Sequence, residues 1–84
     1  MSPGIAMVLT NLGVALANLG HSEEAIRSFD EALAIDPKDP LTWHNKGLAL
    51  ANLGRDEEAM DCFEKYQDLA GEQHSQNISQ RPFR

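Results

Sequence analysis

The chain has 84 residues, of which 42% are apolar and 24% charged, and its formal net charge is −6. A chain of this length buries only about 60–65% of its unfolded surface, so we expect one small domain without a deep catalytic cleft. The acidic balance and the lack of a basic stripe argue against binding to nucleic acid or to an anionic membrane surface.

The compartment is predicted from the single cysteine and from the N-terminal composition. Cys62 has no partner for a disulfide within the chain, which is typical of a reducing compartment. The first basic residue is Arg27, so no positively charged region precedes an apolar run, and no apolar run is long enough to span a bilayer. We therefore expect a cytoplasmic protein without a signal peptide or a membrane partner.

The first predicted helix begins near Ser2-Pro3 and ends before Gly20. Its apolar or small residues are spaced by three, one, three and three positions, which is a helical period. They are Leu9, Leu12, Gly13, Leu16 and Leu19. Glycine suits the left-handed conformation that closes a helix, so Gly20 is expected at its end.

The second predicted helix follows at once. Ser22 is expected to cap it, and Glu23 and Glu24 fall in its first turn, where the helix dipole favours negative charge. Its apolar residues include Ala25, Ile26, Phe29 and Leu33, and the segment 36–40, with two prolines, ends it.

The third and fourth predicted helices repeat the first two. When residues 6–39 are overlaid on residues 40–73, twelve of 34 positions are identical, and the octets at 13–20 and 47–54 differ at one position. A fixed period of this length is typical of repeat proteins. Asp39 is expected to cap the third helix and Asp56 the fourth. The prediction is a two-repeat domain over residues 1–71, followed by a disordered polar tail over residues 72–84.

The repeated glycines predict where the helices touch. Gly13 and Gly47 lie inside helices, where glycine costs about 1 kcal/mol relative to alanine. This cost is reasonable if another helix must come very close. The predicted helix-packing residues are Gly13, Ala25, Phe29, Gly47, Ala59 and Phe63.

Two in-phase motifs resemble the tetratricopeptide repeat. One reads Trp43-x3-Gly47-x2-Leu50-x3-Gly54-x4-Ala59-x3-Phe63, and the other runs from Leu9 to Pro37 with Leu9 in place of the usual tryptophan. The resemblance covers about residues 6–71. It implies an all-α fold, in which two helix-turn-helix hairpins stack as a right-handed superhelix, and the function of holding a protein or peptide partner.

The resemblance also implies that the first helix of each hairpin lines a concave face. On that face this sequence would present apolar side chains, asparagine amides that can hydrogen-bond a peptide backbone, and one histidine able to respond to pH. The predicted partner-binding residues are Met7, Thr10, Asn11, Val14, Asn18, Leu41, His44, Asn45, Leu48 and Asn52.

Self-association is the alternative function. Two hairpins are few for a repeat protein, so a homodimer that covers the first or fourth helix is one expectation, and a fragment of a longer array is another.

No catalytic residues, metal ligands or cofactor are predicted. His21, His44, His74 and Cys62 are too far apart in the sequence to form a close ligand pair, and the adjacent glutamates point to different sides of a helix.

Overall fold

The computed structural model describes residues 3–73, which form four helices and no strand. The helices are α1 (Pro3–Asn18), α2 (Ser22–Ile35), α3 (Pro40–Asn52) and α4 (Asp56–Gln73). The predicted all-α class of two helical hairpins is confirmed. α4 continues to Gln73, two residues past the predicted domain boundary at residue 71. The predicted Ser2 cap and the rest of the predicted tail, residues 74–84, lie outside the described residues.

The helices pack as two stacked hairpins. α1 contacts α2, α3 contacts α4, and the hairpins join mainly where α2 packs against α3, with a smaller contact between α1 and α3. α1 and α3 are the first helices of their hairpins, so they lie on the same side of the stack.

Glycine closes the first helix of each hairpin, as predicted. Gly20 has φ of 88° and Gly54 has φ of 77°, which places both in the left-handed region. The His21 N–H donates to the carbonyl of Leu16 at 2.8 Å, and the Arg55 N–H donates to that of Leu50 at 3.0 Å. These backbone bonds satisfy carbonyls that the helix ends would otherwise leave unpaired.

The predicted caps of α2 and α4 were wrong by one residue. The Ala25 N–H donates to the carbonyl of His21 at 2.9 Å, so the first helical bond is accepted one residue before Ser22. His21 holds the cap position without a side-chain bond, and Ser22 lies buried in the first turn. The Ala59 N–H likewise donates to the carbonyl of Arg55, which places Asp56 inside α4.

The predicted cap of α3 is confirmed. Asp39 accepts a hydrogen bond from the Leu41 N–H at 3.1 Å, and Pro40 is the first helical residue. Proline suits this position because its missing N–H would have no partner inside the helix.

The core lies between the two hairpins. Ala25, Phe29, Ala49 and Leu50 are each at most 1% exposed, and Ile26, Ala59 and Cys62 complete the cluster. Phe29 and Leu50 are the largest of its apolar side chains that are fully buried, and Ile26 is also on α2, so α2 and α3 supply most of the buried volume.

The two helical glycines each face a phenylalanine ring. A Cβ at Gly13 would lie 2.6 Å from Cδ1 of Phe29, and one at Gly47 would lie 2.8 Å from Cδ1 of Phe63. Such distances do not occur between carbon atoms in contact, so only glycine fits without a shift of the ring. The two phenylalanine rings differ in burial: Phe29 is 1% exposed, whereas Phe63 is half-buried.

Lys46 links α3 to α2. Its Nζ lies 2.7 Å from Oδ1 of Asp30 and 5.6 Å from the centre of the Trp43 ring, and only 21% of its side chain is exposed. The Trp43 ring is itself held by a 2.8 Å hydrogen bond from Nε1 to the carbonyl of Pro37.

A chain of buried hydroxyl groups connects the hairpins. The Thr42 hydroxyl donates to Oδ2 of Asp39 at 2.7 Å and lies 2.7 Å from the Thr10 hydroxyl. Because the one hydrogen of the Thr42 hydroxyl goes to Asp39, Thr10 must be the donor to Thr42. Thr10 on α1 is thereby fixed to the start of α3.

We expect Thr42→Val to reduce the free energy of unfolding by about 1 kcal/mol, although valine has nearly the same shape. The substitution leaves the buried Thr10 hydroxyl without its partner and removes one of the two bonds to Asp39. Urea denaturation followed by circular dichroism measures the change. The control is the double variant Thr10→Val with Thr42→Val, which removes both hydroxyls and should recover part of the loss. A double variant less stable than the sum of the single changes would contradict this hydrogen-bond chain.

Candidate functional site

A shallow groove between α1 and α3 gathers half of the predicted partner-binding residues. Its volume is about 170 Å³. Five of the predicted residues line it: Val14, Asn18, Asn45, Leu48 and Asn52. We call this feature the α1–α3 groove. Two pairs of its members, Val14 with Leu48 and Asn18 with Asn52, occupy equivalent positions of the two repeats, so the stacking of the hairpins brings them together.

Three further lining residues were not among the predicted partner-binding residues. Phe29 reaches the groove from α2, and Ala17 and Ala49 line it from α1 and α3. The sequence did carry a signal, because both alanines lie inside the repeated octets and Phe29 was predicted to be a helix-packing residue. Small side chains at these positions leave the space that the groove occupies.

The other five predicted partner-binding residues do not line the groove. Thr10 is 6% exposed and bonded to Thr42, so the expectation that it faces a partner is corrected. His44 packs against α4, with its ring centre 5.0 Å from that of Tyr66 and 5.6 Å from that of Phe63. Met7, Asn11 and Leu41 are exposed outside the groove.

The lining of the groove is apolar and amide in character. Val14 is half-buried and Leu48 is 48% exposed, and no charged residue is among the lining residues. Three side-chain amides, from Asn18, Asn45 and Asn52, each offer both hydrogen-bond donors and acceptors. This combination suits one apolar side chain together with the backbone amides that flank it.

α1 carries a second unusual surface, which was not predicted. Three large apolar side chains are exposed along one side of the helix, Ile5 by 47%, Val8 by 63% and Leu12 by 49%, and Leu19, one residue past the helix end, is exposed by 73%. Ala15 is exposed between them. We call these five residues the α1 stripe. Leu12 and Leu19 were predicted in the apolar pattern of the first helix, but their side chains face away from the core.

The surroundings of Cys62 and Glu58 are structural ones, burial for the thiol and an ion pair for the carboxyl group. Cys62 is 4% exposed, and burial raises the pKa of its thiol. Glu58 accepts two hydrogen bonds from the Arg55 guanidinium, at 2.7 and 3.0 Å, and this pairing lowers the pKa of its carboxyl group. Within residues 3–73, no three histidine, cysteine or acidic residues lie close enough to hold a metal ion.

None of the helices described here combines the length and the apolar character that crossing a bilayer requires.

Comparison with known proteins identifies the repeat. Two family models of the tetratricopeptide repeat match the chain, one over residues 6–39 and the other over residues 28–61. The first match coincides with the first predicted repeat. The second spans the latter part of α2, all of α3 and the start of α4, so the matches overlap and together cover residues 6–61. A search of curated proteins found no match to the chain.

Proposed function

The chain belongs to the tetratricopeptide repeat family, and on this premise we propose that it is an adaptor that binds a protein partner in the α1–α3 groove. Repeats of this family generally mediate protein–protein interaction and typically form scaffolds without enzymatic activity. The bound segment would be extended, with one apolar side chain seated between Val14 and Leu48.

The convergence of apolar and amide side chains in one groove is the observation that carries this proposal. The apolar lining rewards burial of an apolar side chain, and the asparagine amides can pair with the backbone on either side of it. The same groove also favours positive charge in the partner. Because the chain is acidic overall and no lining residue is charged, basic residues beside the apolar anchor should strengthen binding and acidic ones should weaken it.

A selection from a random displayed peptide library on the full chain tests the proposal. We expect enriched peptides to share one apolar residue with few acidic neighbours. Leu48→Ala should weaken the binding of a synthesised enriched peptide about tenfold, because it removes apolar contact area from the groove. Fluorescence anisotropy of the labelled peptide measures the dissociation constant.

Met60→Ala is the matched control for this measurement. Met60 is 59% exposed on α4, outside the groove, so its removal should leave the dissociation constant unchanged. A selection that enriches no peptide would contradict the proposal. Enriched peptides whose dissociation constant changes in Met60→Ala but not in Leu48→Ala would also contradict it.

Self-association is the second candidate function, and the α1 stripe favours it. Three large apolar side chains exposed on one side of α1, with Leu19 directly after the helix, form an unusual surface for a monomer of this size. The proposed compartment is the cytoplasm, in keeping with the one cysteine of the sequence.

A further inference from the structure

We infer that the α1 stripe is the contact surface of a two-fold symmetric dimer, in which α1 packs antiparallel against α1 of a second copy. This inference deepens the second candidate function and rests on it, and it is independent of the α1–α3 groove. The surface, its occupant and the orientation of the occupant each follow from a separate observation.

The internal repeat shows what kind of surface the α1 stripe is. Shifted by 34 positions, Leu12 and Ala15 correspond to Lys46 and Ala49 of α3. Both α3 residues face the neighbouring hairpin, because Lys46 pairs with Asp30 of α2 and Ala49 lies in the core cluster with Phe29. The stripe therefore occupies the positions through which a hairpin of this chain stacks on another helix. On α1 these positions have no partner helix among the described residues.

The spacing of the stripe fits helix–helix packing. Ile5, Leu12 and Leu19 are seven residues apart, and Val8 and Ala15 each follow three residues after the first two. This is the a and d pattern of a heptad repeat, which forms the seam between two packed helices. At about 1.5 Å per residue, the seam runs for about 21 Å, from Ile5 to Leu19, one residue past the end of α1.

Charge disfavours the head-to-tail arrangement, in which α4 of one copy would cover α1 of the next. In the existing contact between hairpins, Lys46 meets Asp30, and the positions equivalent to these two are Leu12 on α1 and Glu64 on α4. Head-to-tail stacking would therefore set the Glu64 carboxylate against a leucine. α1 has no charged residue, so it offers Glu64 no cation, whereas Asp30 is paired with Lys46 in the existing contact.

A second α1 has the complementary character. It is apolar along the same stripe and uncharged, whereas all thirteen acidic residues of the chain lie at or beyond Glu23. The stripe is also symmetric about its centre, because Ile5 and Leu19 each lie seven residues from Leu12. A two-fold axis beside Leu12 would pair Ile5 of each copy with Leu19 of the other. The smaller Val8 and Ala15 would lie opposite one another, which lets the helices approach closely.

Light scattering during size-exclusion chromatography of the full chain, over a range of concentrations, tests the inference. We expect a dimer for the natural sequence. Leu12→Lys should raise its dissociation constant roughly 100-fold or more, because two ammonium groups would meet at the axis in place of two leucines. Leu12 is 49% exposed in the monomer, so the fold should persist, which circular dichroism checks. Met60→Lys, on α4, is the matched control and should leave the dimer intact.

Two further variants test the symmetry itself. Leu12→Glu should also be monomeric, and an equimolar mixture with Leu12→Lys should recover part of the dimer, because only a symmetric contact brings residue 12 of both copies together. Leu12→Cys should form a disulfide between copies under mild oxidation. Cys62 is buried, so the natural sequence is the control for this reaction.

The outcomes separate this inference from the candidate function beneath it. A natural sequence that is monomeric at every concentration overturns both. A dimer that survives Leu12→Lys, or one that Met60→Lys abolishes, overturns the α1 contact while leaving self-association in place. Peptide binding by the Leu12→Lys monomer should be unchanged, because residue 12 does not line the groove.

Discussion

Phe29→Ala is expected to reduce the free energy of unfolding by about 3–5 kcal/mol, the cost typical of removing a buried phenylalanine side chain. Phe29 is 1% exposed, belongs to the cluster that joins the two hairpins, and fills the space left by Gly13. A small domain has only about 5–15 kcal/mol of stability in all, so we expect a large fraction of this variant to be unfolded at moderate temperature. Urea denaturation followed by far-ultraviolet circular dichroism measures the loss.

Phe63→Ala is the matched control, because Phe63 is the equivalent residue of the second repeat. Its ring also faces a helical glycine, but it is only half-buried, so part of its area is already in water. We expect a loss of about 1–2 kcal/mol, well below that at Phe29. Equal losses at the two positions would mean that the core is not centred between the hairpins.

The fold was largely predictable because its determinants are local and occur twice. Gly20 and Gly54 end helices through their own backbone conformation, and Asp39 caps α3 through contacts within three residues along the chain. Such features depend on neighbours in sequence, so a single chain reveals them. The predicted caps at Ser22 and Asp56 were wrong by one residue. The first backbone hydrogen bond of each helix is accepted by the residue before the predicted cap, His21 in α2 and Arg55 in α4.

The candidate site was only partly predictable because it depends on how the hairpins stack. Thr10 was assigned to the concave face by its helical spacing, but it meets Thr42, which is 32 residues away. The α1 stripe was missed for a related reason. α1 has no charged residue, so its sequence has no strongly polar side from which to tell the buried face from the exposed one. Only the position of α2 shows that Leu12 and Leu19 face outward.

The second large effect is expected at Gly13, where we predict that Gly13→Ala destabilises the fold by about 1–2 kcal/mol. The added Cβ would lie 2.6 Å from Cδ1 and 2.9 Å from Cζ of Phe29, and that ring is 1% exposed and packed in the core cluster, so it can move only by leaving its core contacts for the α1–α3 groove. Overpacking of this kind costs about 1–3 kcal/mol. The better helix propensity of alanine returns about 1 kcal/mol, which is too little to offset the larger part of that range.

Gly47→Ala makes the same chemical change in the second repeat and should be nearly neutral. A Cβ there would lie 2.8 Å from Cδ1 of Phe63, but this ring is half-buried and can shift toward solvent, so the gain in helix propensity offsets most of the strain. Denaturation midpoints of the two variants provide the comparison. In a Phe29→Leu background, Gly13→Ala should reduce the free energy of unfolding by less than it does in the natural sequence, since the Phe29 ring is the source of the clash. Equal effects of the two alanines, or no coupling between Gly13 and Phe29, would show that contact with the rings is not what requires glycine at these positions.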